Sequence, residues 1–195
     1  MEYNEAAFAH FETRWRSAHR PPLILDAGCG VGLSTRHMAI QWPHHFVLGI
    51  DQSADRIGRH TVWPGTPPPN MLLLRADLVD FWRLLSRAGI RLERHYLLYP
   101  NPWPKPAHLA RRWHGHAVFP TVTALGGVIE CRSNWPVYVE ECAIALRQLN
   151  LPDVVSEAYV TDAPTTPFEK KYLQSGHTLW RCRSHASSVL QVVTA

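Results

Sequence analysis

The chain has 195 residues, 46% hydrophobic and 10% aromatic with 8 Trp, which is enough apolar material for one sizeable core. Only 18% of residues are charged and the net charge is +4, so the composition excludes intrinsic disorder. No apolar run approaches the roughly 20 residues that span a bilayer, and Met1-Glu2-Tyr3-Asn4-Glu5 lacks the basic and then apolar regions of a secretory signal. The expectation is a soluble, cytoplasmic, single-domain chain over residues 1–195, with 1–21 as a short leader.

From residue 22 onward, strand and helix patterns alternate. Leu23–Ala27 is a short apolar run ending in turn residues and predicts a buried strand. Gly28–Gly32 is a glycine-rich turn, and Leu33–Trp42 has helical spacing that stops before Pro43. His45–Asp51 predicts the second strand, Ser53–His60 a helix, and Pro64–Asn70 a loop. Met71–Asp77 predicts the third strand, followed by an amphipathic helix through Phe81, Trp82, Leu84 and Leu85.

His95–Tyr99 predicts a fourth strand running into Pro100-Asn101-Pro102-Trp103-Pro104-Lys105-Pro106, whose prolines make it rigid and non-helical. A helical stretch over Arg111–Leu125 is expected to end at Gly126-Gly127, with Val128–Arg132 as the fifth strand. Pro136–Asn150 predicts the helix behind it, with Val137, Val139, Cys142, Ala145 and Leu146 facing the core. Val154–Val160 and His177–Arg183 predict a closing pair of strands separated by a polar loop. Alternation of this kind implies right-handed crossovers and an α/β doubly wound, mostly parallel seven-stranded sheet with an antiparallel closing strand. Such sheets bind ligands beyond the carboxyl ends of their strands, where Asp26, Asp51, Asp77 and Asn101 fall.

Asp26-Ala27-Gly28-Cys29-Gly30-Val31-Gly32 lies between a strand and a helix, so two nucleotide readings compete. A dinucleotide fingerprint counted from Gly28 places Leu33 where a third small residue belongs. The acidic residue before alternate glycines instead resembles the first motif of class I S-adenosylmethionine-dependent methyltransferases, the Rossmann-like class. That cofactor carries an ammonium group suited to Asp26 and needs bare glycines, Gly28 and Gly30, for close backbone approach. Asp51 is placed to bridge ribose hydroxyls, and Asp77 to accept from the adenine amino group. A tight strand-to-helix turn in which Asp26 only caps a helix is the alternative.

Tyr99-Pro100-Asn101-Pro102-Trp103-Pro104-Lys105, followed by His108 and Arg111-Arg112, resembles the signature of the tRNA (guanine-N7)-methyltransferase family. Ser133-Asn134-Trp135 with Tyr138, then Thr166-Pro167-Phe168-Glu169-Lys170-Lys171 and Gly176-His177, match further motifs of that family in order. The resemblance covers about residues 22 to 182. It implies that Asp26, Gly28, Gly30, Asp51, Asp77 and Asn101 bind S-adenosylmethionine, with Asn101 also the catalytic position between cofactor and base. It implies that Lys105, Arg111, Arg112, Asn134, Thr166, Phe168 and Glu169 contact a tRNA substrate. Trp103 or Trp135 would support a displaced base.

Asn101 and Asn134 stand where the family has Asp. N7 of guanine already holds a lone pair, so methylation there needs positioning and compensation of charge growing on the purine rather than a general base. An Asn carbonyl accepts a hydrogen bond but carries no charge. The role then passes to Asp80, Glu130 or Glu169, or the acceptor is another RNA site or a small molecule, or the chain binds cofactor and RNA without fast turnover. Only Lys105, Lys170 and Lys171 are lysines among the 20 basic residues. An arginine bias of this kind suits phosphate contact and equally reflects codon usage. Cys29, Cys131, Cys142 and Cys182 form no C-x-x-C pair, and His108, His114 and His116 have no companion at recognisable zinc spacing, so no metal is expected.

Overall fold

Apolar runs too short for helices become the centre of a seven-stranded sheet, and longer amphipathic stretches cover its two faces. The structure is a computed structural model and describes residues 2–59 and 65–186. In chain order the elements are α1 (Glu2–Ser17), β1 (Leu23–Ala27), α2 (Leu33–Gln41), β2 (Phe46–Asp51), α3 (Ala54–Gly58), β3 (Met71–Arg75) and α4 (Leu78–Arg87). There follow β4 (Arg94–Leu98), α5 (Phe119–Ala124), β5 (Gly127–Ser133), α6 (Pro136–Gln148), β6 (Val155–Tyr159), α7 (Pro167–Gln174) and β7 (Leu179–Ala186). His60 and Pro64, expected to end a helix and open a loop, lie outside the described residues. Among the described residues no helix is long and apolar enough to cross a membrane.

The strand order is β3-β2-β1-β4-β5-β7-β6, parallel from β3 to β5. β7 enters antiparallel between β5 and β6, pairing Cys131 with Cys182 and Tyr159 with Leu179. The order reverses beside β1, the position at which sheets of this kind bind their ligands beyond the strand ends. Alternation along the strands sorts the side chains. Leu23, Leu25, Phe46, Leu48, Leu97, Ile129, Cys131 and Cys182 pack beneath α1, α4, α5 and α6. Ile24, Val47, Tyr96 and Leu98 face the opposite layer, with Met38 and Ala39 of α2 and Tyr172 and Leu173 of α7.

Three expected segments differ. The leader is a helix: Phe11 of α1 is fully buried, with ring centroids 6.1 Å from Phe46 and 6.0 Å from Phe81. Burying such a ring contributes about 2 to 3 kcal/mol, which offsets the modest apolar content of the segment. The expected helix over 111–125 is broken into two 3-10 turns, Pro106–Arg111 and Trp113–Gly115, before α5. The break falls at Arg112, whose backbone is extended with ψ of 141°. Bare Gly115 lets the second turn lie on the Leu109 carbonyl oxygen, which an added Cβ would meet at 2.4 Å. The polar loop between β6 and β7 contains α7, because Thr166 caps its start and accepts from the Glu169 amide at 2.9 Å. On α6, Val137 is exposed rather than in the core, whereas Val139, Cys142 and Leu146 are buried.

Candidate active site

Asp26 is the fourth residue of β1, and its side chain is buried against the first turn of α2. One of its oxygens accepts from Ser34 Oγ at 2.6 Å and from Thr35 Oγ1 at 2.7 Å. Burial pushes its carboxyl above the usual carboxylate value, and the two hydroxyls pull it partly back. Room for Thr35 over the sheet requires Gly49 on β2, where an added Cβ would stand 2.4 Å from Thr35 Oγ1. Nothing in the sequence reading singled out Ser34, Thr35 or Gly49, because their roles arise only when α2 folds back on β2.

The glycine turn closes on the end of β2. The Gly28 and Cys29 amides donate to the Ile50 carbonyl, and the Gly30 amide donates to Asp51 Oδ2 at 3.0 Å. Asp51 Oδ1 accepts from the Ser53 amide at 2.8 Å, and Arg56 stands 3.6 Å from Oδ2. Gly28 and Gly30 have φ of 80° and 59°, and a Cβ at either position would meet no atom within 4 Å. The turn therefore borders open space on its outer side, and the bare backbone fits a closely approaching nucleoside. Asp77 caps α4, accepting from the Asp80 amide at 3.1 Å while its own amide donates to Asn4. Asn4 also donates to Asp80 at 2.8 Å, so the missed helix α1 reaches the third acidic position.

The proline segment leaves β4 through strained backbone. Tyr99 and Trp103 have φ of 52° and 43°, values that cost about 1 to 3 kcal/mol each unless surrounding contacts hold them. Those contacts are present: the Tyr99 amide donates to the Arg132 carbonyl, and Arg112 donates to the Trp103 carbonyl at 3.1 and 3.2 Å. Asn101 is exposed, and its Oδ1 accepts from the Trp103 amide at 3.3 Å. Lys105 is exposed, and Arg111 lies over the Trp103 ring at 4.8 Å. Arg112 corrects the expectation of a phosphate contact. It is buried and spent on the proline segment and on an ion pair with Glu141, so its charge is directed inward.

The remaining motifs meet at the same end of the sheet. Glu169, expected on the substrate side, is fully buried and accepts from Arg132 at 2.8 Å, Tyr99 hydroxyl at 3.1 Å and the Thr165 amide at 2.6 Å. Thr166 is buried as the cap of α7, so this pair organises the loop from within. Phe168 is exposed and stacks on Tyr172, whose ring also lies 5.8 Å from Tyr99 and 5.5 Å from His177. Asn134 Nδ2 lies 3.4 Å from His177 Nδ1. Glu130 is buried and taken up by Arg132 at 2.6 Å, whereas Asp80 accepts from Asn4 on one oxygen and keeps a side chain 37% exposed. Arg132, over the Tyr159 ring at 4.2 Å, is the hub that sequence reasoning missed. An arginine near the end of β5 carries no such signal until Tyr159 of β6 and Glu169 of α7 come to surround it.

The family model described as "Putative methyltransferase" matches residues 20–182. A tRNA (guanine-N(7)-)-methyltransferase of Acidovorax sp. (strain JS42) is 27% identical over 172 residues, covering 82% of this chain and 66% of that protein. One of the same name from Zymomonas mobilis subsp. mobilis is 29% identical, covering 83% and 74%. The chain thus spans about two thirds to three quarters of the length of these relatives. Among solved structures, the 16S rRNA methyltransferase KamB matches with a TM-score of 0.62 at 17% identity, over 91% of this chain and 93% of that one. A 16S rRNA (adenine(1408)-N(1))-methyltransferase from Catenulisporales acidiphilia, solved with S-adenosylmethionine, matches at 0.59 and 19% identity over 89% and 90%. The chain has the fold of these methyltransferases and belongs to the methyltransferase family whose model it matches.

Proposed function

We propose that the protein transfers the methyl group of S-adenosylmethionine to N7 of a guanine in tRNA. The observation that carries this reading is the convergence on one sheet rim of two loops. One is the glycine turn tied to Asp51. The other is the proline segment, joined through Tyr99, Glu169 and Tyr172 to α7. The names of the sequence relatives support the acceptor.

In this reading Asp51, whose oxygens each accept one backbone amide, keeps a second lone pair on each for the ribose hydroxyls. Asp26 places negative charge beneath the ammonium end, and Asp77 presents the oxygen left over from capping α4 toward the adenine. S-adenosylmethionine, when bound there, supplies an electrophilic methyl on a sulfonium. The chain's own contribution is positional. The strained and doubly anchored proline segment fixes Asn101 at the rim without freedom to wander, which is the form of catalysis an acceptor with its own lone pair requires. Asn101 Oδ1 is already turned toward the Trp103 amide, leaving its Nδ2 hydrogens and one lone pair for the purine edge. Trp103 with Arg111 over its face, and the exposed Lys105 and Phe168, form the cationic and aromatic surface toward the RNA.

Nucleoside mass spectrometry of tRNA incubated with protein and S-adenosylmethionine tests the proposal. A gain in 7-methylguanosine is expected. No gain, with one of the named relatives active in parallel, rejects it. Cofactor turnover on extract that survives nuclease would move the acceptor to a small molecule.

A further inference from the structure

Sequence spacing offered no metal site, yet the fold gathers three cysteines from distant positions. Cys131 of β5, Cys142 of α6 and Cys182 of β7 are buried, and their sulfurs all lie within 4.8 Å of one another. Cys131 and Cys182 are direct partners across the antiparallel ladder, and α6 lays Cys142 over them. Three sulfurs bound to one ion at about 2.3 Å in tetrahedral geometry stand about 3.8 Å apart, which falls within that limit. The trio lies on the face of the sheet opposite Asp26 and Asp51, so it is separate from the candidate active site.

A second observation points the same way. His114, in the 3-10 turn Trp113–Gly115, has a side chain only 4% exposed. Its Nε2 lies 3.0 Å from Glu141 Oε2, whereas its Nδ1 is buried with no hydrogen-bond partner. A neutral imidazole that donates Nε2–H to a carboxylate has its lone pair on Nδ1, the arrangement found in metal-binding histidines braced by a second residue. His114 interacts electrostatically with Cys182, and its ring meets Tyr138, one helical turn before Cys142, at 4.7 Å. His114 also lines a surface cavity of about 370 Å³ with His116, Phe119 and Leu149.

We propose that Cys131, Cys142 and Cys182 bind a thiophilic d10 cation such as zinc, with His114 Nδ1, which stands outside that 4.8 Å trio, turning in as the fourth donor when the ion binds. Three thiol protons pass to solvent as three metal–thiolate bonds form, the imidazole releases none, and a divalent ion leaves the cluster at one net negative charge. Glu141 acts as a positioning residue that orients the imidazole. The site is structural, pinning β5, β7, α6 and the turn at 113–115 together, and takes no part in methyl transfer.

The test uses the full chain, reduced and titrated with zinc and with cadmium as a thiolate probe. One ion per chain by native mass spectrometry is expected, with an ultraviolet sulfur-to-cadmium band. X-ray absorption on the zinc-loaded wild type should show three sulfur neighbours at about 2.3 Å and one nitrogen. Cys142→Ala should weaken binding at least 100-fold, Cys29→Ala should leave it unchanged, and Glu141→Gln should weaken it about 10- to 100-fold. Failure to bind zinc at stoichiometric concentration overturns the proposal, as does a shell of oxygen and nitrogen without sulfur or full binding by Cys142→Ala. A reduced-minus-native mass difference of one disulfide overturns it too, since the trio would then be an oxidised pair. Should Cys142→Ala not fold, the absorption spectrum of the wild type decides alone.

Discussion

Replacing Glu169 by Ala tests whether the fourth motif serves the loop from inside. In the native chain its fully buried carboxylate faces the Arg132 guanidinium at 2.8 Å and also satisfies Tyr99 and Thr165. Truncation leaves Arg132 buried with Glu130 alone and strands two donors of Thr165 and one of Tyr99. Removing one partner of a buried ion pair costs about 3 to 5 kcal/mol, and the remaining Glu130 contact places this case toward the lower end. For a chain of this length each kcal/mol moves Tm by about 2 to 4 °C, so Glu169→Ala should melt about 6 to 15 °C lower. Glu169→Gln keeps an acceptor of the same shape and should lose roughly half as much. Adding Arg132→Met to Glu169→Ala should cost less than the two separate losses combined, because the orphaned charge is removed. Urea and thermal unfolding supply the measurements. If Glu169→Ala loses less than about 1 kcal/mol while KM for RNA rises, the carboxylate faces the substrate and the internal role is wrong.

Acid should destabilise the protein through His95. This residue is fully buried on β4 and accepts from Trp82 Nε1 at 3.1 Å, and burial lowers its pKa from 6.5 to about 3. The unfolded chain then binds more protons than the native one between those values. Stability is complete above about pH 6.5 and falls by about 1.4 kcal/mol per unit toward pH 3. His95→Gln should flatten that slope in urea titrations, and an unchanged slope would assign it elsewhere. Gly30→Ala should cost about 1 to 2 kcal/mol for its left-handed φ, while lowering S-adenosylmethionine affinity by tenfold or more in calorimetry, because the new methyl enters the open side of the turn. Unchanged affinity would place the cofactor away from this turn. Asn101→Asp retains the bond to the Trp103 amide and adds a charge beside the purine, so kcat on tRNA should rise about tenfold or more with KM steady. A fall in kcat would mean that the amide is tuned to a different acceptor.

Much of the scaffold was legible from period and punctuation. Leu23–Ala27 is a strand because five apolar or turn-ending residues are too few for a helix, and Gly28–Gly32 turns because alternate glycines accept positive φ. Short-range chemistry of this kind is written in consecutive residues. The first helix was hidden because its buried side, Asn4, Phe8 and Phe11, is narrow and polar residues surround it. Tertiary contact stabilises it, through Phe11 against Phe46 and Phe81 and through Asn4 bonded to Asp77 and Asp80.

Sequence alone determined which residues reach the rim: an acidic side chain or its equivalent at or just after each of β1 to β4, and the motif loops that follow. Tertiary structure alone decided how those groups are used. It turned Arg112 inward, set Glu169 against Arg132, tied Asn4 to Asp77 and Asp80, and placed Cys131, Cys142 and Cys182 in one cluster across 51 positions of chain. The reason is physical. Strand and turn preferences depend on neighbours along the chain, whereas the cost of burying a charge or thiol depends on what other elements bring within a few ångströms.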